Sequence, residues 1–226
     1  ELVDPGEEPG PGEVVETNGL VVSSLVEKWD GAATYRDVVT DDADALGEAI
    51  DQDTDHDIVV TTGGSSVGER DLLPDVVSDR GEVLVHGVAL KPGHPVGFGV
   101  VDETPVVFLP GYPVSCLVTA MQLLRPAIAW LSDTAPRSSP TMEAELAEKV
   151  RSEPGERTFA RVRLRDEERE ADDEETGELP RVEPVRVSGA GVMSSVTEAD
   201  GWVTVPESLE GVPAGDTVTV EQWEDI

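Results

Sequence analysis

The chain has 226 residues, 38 % of them hydrophobic, and a formal net charge of −32 from 48 acidic against 16 basic side chains. That length predicts one large domain or two ordinary ones, the single Cys116 excludes an internal disulfide framework and a cysteine-based zinc site, and so negative a surface repels nucleic acid. The acidic excess reads as adaptation to very high intracellular salt, a halophilic trait, because in molar salt the Debye length falls to about 3 Å and self-repulsion is screened. No basic, apolar leader opens the sequence and no apolar run reaches the roughly 18–20 residues of a spanning helix, so a cytoplasmic protein away from the membrane is expected.

In chain order, Leu20, Val21, Leu25 and Val26 are spaced for an amphipathic helix over 19–27, with Asn18 as its N-cap. Residues 33–39 predict a short strand, and Asp41 and Asp42 predict the cap of a helix running to Ile50. A buried strand over 57–62 ends in a glycine pair, and a helix follows over 72–77. Strands are expected over 82–90, 97–101 and 106–109, then a helix over 114–131 bent near Pro126. The alternation implies an α/β domain over 1–134 with a doubly wound, mainly parallel sheet, whose ligands bind beyond the carboxyl ends of the strands. A linker rich in Ser, Pro and Thr spans 132–140. Strands over 142–150, 158–164, 181–187, 201–205 and 217–222 then predict a small all-β, barrel-like domain over 135–226. The acidic run 166–178 reads as a solvated hairpin tip.

Three Gly/Pro-rich loops carry the candidate chemistry. The first, Thr62-Gly63-Gly64-Ser65-Ser66-Val67-Gly68-Glu69-Arg70-Asp71, joins a strand to a helix. Its glycines let backbone N–H groups approach a ligand, and such groups beside a helix N-terminus form an anion nest. Ser65 and Ser66 add hydroxyls, and Asp71 suits a Mg²⁺ that neutralises a phosphate. An ordinary capped turn explains the same residues equally well. The second loop is Lys91-Pro92-Gly93-His94-Pro95, and Lys91 is one of only three lysines, with Lys28 and Lys149. Lysine is a compact point charge suited to an oxyanion; a surface lysine at a turn is the plain alternative. His94 is either a donor to that anion or simply exposed. The third loop, Leu109-Pro110-Gly111-Tyr112-Pro113-Val114-Ser115, offers N–H groups and the Ser115 hydroxyl at a helix start. Cys116, just beyond, reads as a buried structural thiol. A cap explains one of Asp41 and Asp42, while a carboxylate pair there also suits Mg²⁺. With no Cys/His cluster, catalytic triad or Walker lysine, the constellation is a phosphate and anion cradle that would act by positioning and electrostatics.

Taken together these loops resemble the gephyrin/MoeA family of molybdopterin molybdenumtransferases. Glu1-Leu2 followed by Pro5-Gly6 resembles the end of its Thr-Gly-Asp-Glu-Leu stretch, and Glu16-Thr17-Asn18 its Asp-Ser/Thr-Asn motif. The three loops follow in the family's order. Gly155, Phe159 and Arg161 resemble its Gly-Arg-x-x-Phe-x-Arg segment, and the stretch from Ser188 to Ser195 with Ala199-Asp200-Gly201 its Ser-Gly…Ser…Ala-Asp-Gly segment. The resemblance implies a molybdopterin-binding, MogA-like fold and a reaction in molybdenum cofactor biosynthesis. Molybdate is inserted into adenylylated molybdopterin, AMP leaves, and Mg²⁺ assists. It implies that Asp41 and Asp71 serve the phosphate–Mg²⁺ site and that Asn18, Gly63, Gly64, Ser65 and Ser66 contact the pterin phosphate. Lys91, Ser115, Arg161 and Ser188 would line a pocket for molybdate or tungstate, with Gly93, Pro110 and Gly111 shaping the loops. It further implies a homodimer, contact with other proteins of the same biosynthesis, and one strand and two N-terminal domains outside this sequence. Two positions depart from the pattern: Tyr112 stands where Asn is common, and His94 where a second lysine is usual. The alternatives are the related molybdopterin adenylyltransferase and a non-catalytic module that binds molybdate or pterin.

Overall fold

The structure, a computed structural model, describes residues 2–3, 6, 8–64, 72–136, 138–165, 179–185 and 194–222. It divides into two units, one of Glu1–Val88 with Gly93–Pro136, the other of Ala89–Pro92 with Arg137–Ile226. Ala89–Pro92, expected in the first domain, thus belongs with the second.

In the first unit β1 (Leu2–Val3) pairs in parallel with β2 (Val14–Val15). Helices α1 (Asn18–Lys28) and α2 (Ala43–Gln52) follow, then β3 (Val59–Thr62), α3 (Leu73–Arg80) and β4 (Gly81–His86). After the excursion of β5 (Leu90–Lys91) into the second unit come β6 (Gly97–Val101) and β7 (Thr104–Leu109). The main sheet has the order β3-β7-β6-β4. Its β3–β7 pair is parallel, in the register Thr62↔Leu109. The other side is an antiparallel arm, because β6 and β7 are joined through Asp102 and Glu103, whose φ values of 48° and 70° form a tight turn that folds the chain directly back. The core under the sheet gathers Ile50, Leu73, Val76, Val77, Val106 and Phe108.

Several local expectations change here. The expected strand over 33–39 is absent: that backbone has no strand neighbour, and its side chains are tied elsewhere, Tyr35 to Glu16 and Arg36 to Asp53. The expected strand over 82–90 splits, β4 ending at His86 and β5 joining the other unit. The long helix runs Pro113–Leu131, 19 residues, and by length and apolar composition it could cross a membrane, which revises the expectation that no run is long enough. Its apolar character follows from its place in the fold, since Val114, Leu117, Val118 and Leu124 are buried. It comprises α4 (Pro113–Thr119), a wider π turn (Ala120–Leu124) and α5 (Arg125–Leu131). The irregularity falls just before Pro126, which has no N–H to give and whose ring crowds the preceding turn.

The second unit contains β8 (Thr141–Leu146), β9 (Val150–Arg151), β10 (Arg157–Leu164), β11 (Arg181–Pro184), β12 (Gly201–Val205), β13 (Gly211–Val212) and β14 (Thr217–Gln222). The order β11-β8-β14-β12-β10, with β11 also paired to β10, closes a small five-stranded barrel. Alternation fills it: in β14 Val218 and Val220 point inward while Thr217 and Thr219 are exposed. Ala144, Leu146, Val162, Val182, Val203 and Val205 complete the interior. On the outer side Phe159 meets fully buried Trp202 edge-on, centroids 5.7 Å apart. Strand β5 lies parallel to β10, in the register Lys91↔Thr158. The acidic run 166–178 lies outside the described residues.

Candidate functional site

The parallel register explains the first cluster. Because Thr62 and Leu109 are partners, the turns that leave β3 and β7 emerge side by side at the carboxyl ends of both strands. Gly63 N–H donates to the Leu109 carbonyl at 2.9 Å. Gly63 and Gly64 have φ of 90° and 65°, a region that disfavours side chains. The backbones approach so closely that a Cβ on Gly111 would sit 3.2 Å from the Gly63 Cα. The side-chain amide of Asn18 donates to the Gly111 carbonyl at 2.8 Å.

Asn18 therefore does not cap α1. Thr17 holds the cap position without a side-chain cap bond, and Asn18 is the first helical residue. The residue that fastens the helix start is Glu16, which the sequence reading names only as part of a motif and with no role of its own. Its buried carboxylate accepts from Gly19 N–H and from the Tyr35 hydroxyl, each at 2.8 Å. An acidic residue just ahead of a predicted helix start was an available signal.

The third loop leads into α4. Pro110 is buried and Tyr112 is 68 % exposed, with no capping bond from its side chain. Ser115, expected as an accessible hydroxyl, is only 4 % exposed, and its carbonyl accepts from the Thr119 hydroxyl. Cys116 is buried as expected; burial, reinforced by the nearby Glu16 carboxylate, pushes its thiol up to about 12. At α2 the cap is Asp42, whose Oδ1 accepts from the N–H groups of Asp44 and Ala45. Exposed Asp41 is left without a hydrogen bond or ion pair among the described residues. Asp71, Ser65, Ser66 and Ser188 lie outside the described residues.

Lys91 belongs to the second unit. Its Nζ lies 3.3 Å from Glu153 Oε1 and 3.6 Å from Glu156 Oε2. Gly93 is buried, and exposed His94 faces the Val88 carbonyl through Nδ1 at 3.0 Å. Arg161 stands opposite Trp202 in the β10–β12 ladder. Three residues beyond Thr158, it falls on the alternate face of β10 from the partner of Lys91. Desolvation holds its guanidinium below the usual value. The structure thus brings Asn18, Gly63, Gly64 and Gly111 together in one unit and places Lys91 on β5 and Arg161 on the neighbouring β10 in the other.

Two glycine turns abut at the carboxyl ends of a parallel strand pair, the place where open α/β sheets take their ligands. The family described as “Probable molybdopterin binding domain” matches residues 1–130, and “MoeA C-terminal region (domain IV)” matches residues 143–223. A Methanocaldococcus jannaschii protein named for molybdopterin biosynthesis is 34% identical over 211 residues, covering 92% of this chain and 47% of its own length. The molybdopterin molybdenumtransferase of Haemophilus influenzae is 29% identical over 228 residues, covering 100% of this chain and 54% of its own. The crystal structure of a molybdopterin biosynthesis MoeA protein from Pyrococcus horikoshii superposes with a TM-score of 0.79 at 32% identity, covering 98% of this chain and 51% of that one. The chain belongs to the MoeA family. It spans about half the length of the curated relatives it matches.

Proposed function

We propose that the protein is a molybdopterin molybdenumtransferase, which takes adenylylated molybdopterin and molybdate, inserts the metal and releases AMP. The observation that carries this reading is the corner where Asn18 is bonded to Gly111 and Gly111 abuts Gly63, in a chain of the MoeA family. A backbone so exposed by glycine presents N–H groups to a phosphate without side-chain obstruction. In this reading Asn18, Gly63 and Gly64, with Ser65 and Ser66, hold the pterin phosphate. Lys91 supplies the positive charge that meets the oxyanion.

For Mg²⁺ the fit rests on Asp41. Its neighbour Asp42 is committed as a cap, which leaves the exposed Asp41 carboxylate for a hard cation that prefers oxygen ligands. With Asp71 it would hold the ion, which when bound neutralises charge on the phosphate of the leaving adenylate. The match of residues 143–223 to the MoeA C-terminal region favours the transferase over an adenylyltransferase confined to the first unit. A cytoplasmic homodimer acting on these small molecules belongs to the same proposal.

The test uses the full chain in molar KCl with Mg²⁺ and adenylylated molybdopterin. AMP release is expected only when molybdate is added, and Lys91→Ala is expected to abolish the molybdate dependence. Release that ignores molybdate, or a Lys91→Ala variant with unchanged molybdate response, overturns the proposal.

A further inference from the structure

Lys91, the candidate oxyanion contact, lies within ion-pair distance of two carboxylates of a single turn. Glu153-Pro154-Gly155-Glu156 connects β9 to β10. Pro154 fixes its own φ, Gly155 has φ of 94°, and Glu156 N–H donates to the Glu153 carbonyl at 3.2 Å. These are the features of a type II turn. Gly155 N–H is anchored in addition to the Glu207 carbonyl at 2.8 Å. A turn of this kind sets its first and fourth residues side by side, so the carboxylates of Glu153 and Glu156 point at the same neighbour.

That neighbour is Lys91. Arg157 N–H donates to the Ala89 carbonyl at 2.9 Å, and Leu90 and Lys91 run beside Arg157 and Thr158, so β5 is fastened where the turn ends. Glu156 Oε2 is buried and has no hydrogen-bond partner among the described residues. Its compensation is the ammonium at 3.6 Å. Only that oxygen is covered and the pair itself is part-exposed, so the ammonium is held with about the strength of a surface ion pair.

We infer that Glu153 and Glu156 form an autoinhibitory carboxylate clamp on Lys91, which lowers the affinity of the second unit for a tetrahedral dianion such as molybdate. The inference rests on the proposal that Lys91 meets the oxyanion. An incoming dianion competes with two carboxylates for one ammonium and is repelled by both. Glu156 is the stronger arm, since it is 31 % exposed against 73 % for Glu153.

The experiment has two arms, both on the full chain in molar KCl. In the first, a water-soluble acylating reagent labels amines, and peptide mass spectrometry compares Lys91 with the exposed Lys28 and Lys149. Glu156→Gln is expected to raise labelling of Lys91 about two- to fivefold relative to those references, the span of an exposed ion pair, and Glu153→Gln to raise it less. Unchanged Lys91 labelling in both variants overturns the clamp. In the second arm, equilibrium dialysis with molybdate is expected to show tighter binding by Glu156→Gln, by a similar factor, and no such gain in Lys91→Ala/Glu156→Gln. Weaker or unchanged binding by Glu156→Gln, with Lys91→Ala impaired, overturns the clamp alone. Equal binding by Lys91→Ala and wild type overturns the role of Lys91 in the proposed function, whatever the labelling shows.

Discussion

The side-chain amide of Asn18 donates to the backbone carbonyl of Gly111 at 2.8 Å, across 93 positions of sequence. This bond fastens the start of α1 to the turn that leaves β7, and the same turn abuts Gly63. Asn is suited to the place because its amide donates to the carbonyl while its oxygen stays available to accept.

Asn18→Asp tests that arrangement with almost no change of shape. The carboxylate has nothing to donate and faces a carbonyl lone pair, so a loss of about 1–2 kcal/mol is expected. Gly111→Ala places a methyl 3.2 Å from the Gly63 Cα, so it should lower stability to the extent that the facing turn cannot shift by a few tenths of an ångström. Urea unfolding in molar KCl measures both. A Gly111→Ala protein as stable as wild type would show that the facing turn yields enough to admit a methyl.

Glu16 offers a second test. Glu16→Ala leaves the Gly19 N–H and the Tyr35 hydroxyl without their buried acceptor, and about 1–3 kcal/mol of stability should be lost. Tyr35→Phe removes one donor only and should cost about 1 kcal/mol. The double variant is expected to fall short of the sum, since the two changes share one contact. Full additivity would show that the Tyr35–Glu16 bond contributes nothing.

Cys116 sets a pH dependence. Its thiol is pushed up to about 12 by burial, then by Glu16. Above the unfolded thiol value the unfolded chain releases a proton that the folded chain keeps. Stability should therefore fall between about pH 9 and pH 12, with this group contributing about 1.4 kcal/mol per pH unit. Comparing wild type with Cys116→Ala across that window isolates the effect, and identical slopes would remove Cys116 as its source. A thiol reagent at neutral pH should react with Cys116 only after unfolding.

The net charge of −32 gives a prediction for the whole chain. Raising KCl from about 0.1 M to about 3 M should raise the melting temperature steeply at first and then level off, as the Debye length shrinks below the spacing of surface charges. A melting temperature independent of KCl over that range would dispose of the high-salt reading.

Much of this architecture was legible because local rules and tertiary structure agreed. The strand boundaries at Gly97–Val101, Gly201–Val205 and Thr217–Gln222 follow directly from apolar patterning and flanking turns. Most of the rest was hidden by a distant partner that overrides a local preference. Asn18 reads as a cap until Gly111 is seen beside it. Tyr35 and Arg36 read as strand until Glu16 and Asp53 claim their side chains. Of Asp41 and Asp42, only the backbone decides which one caps α2. Lys91 stood out by rarity, but its pairing with Glu153 and Glu156 requires β5 to lie against β10, which no local pattern announces.

The excursion of Ala89–Pro92 has a consequence for inheritance. β5 and β11 share one side of β10, Arg157 and Thr158 pairing with the first and Val162 to Leu164 with the second. The stretch that carries Lys91 is thus encoded within the α/β segment but folded as part of the barrel unit. A gene fusion or recombination joining a foreign barrel at Pro136 would leave that stretch to find its place against a different β10. Lysine, turn and carboxylates can therefore be transmitted as a working set only if the two segments travel together.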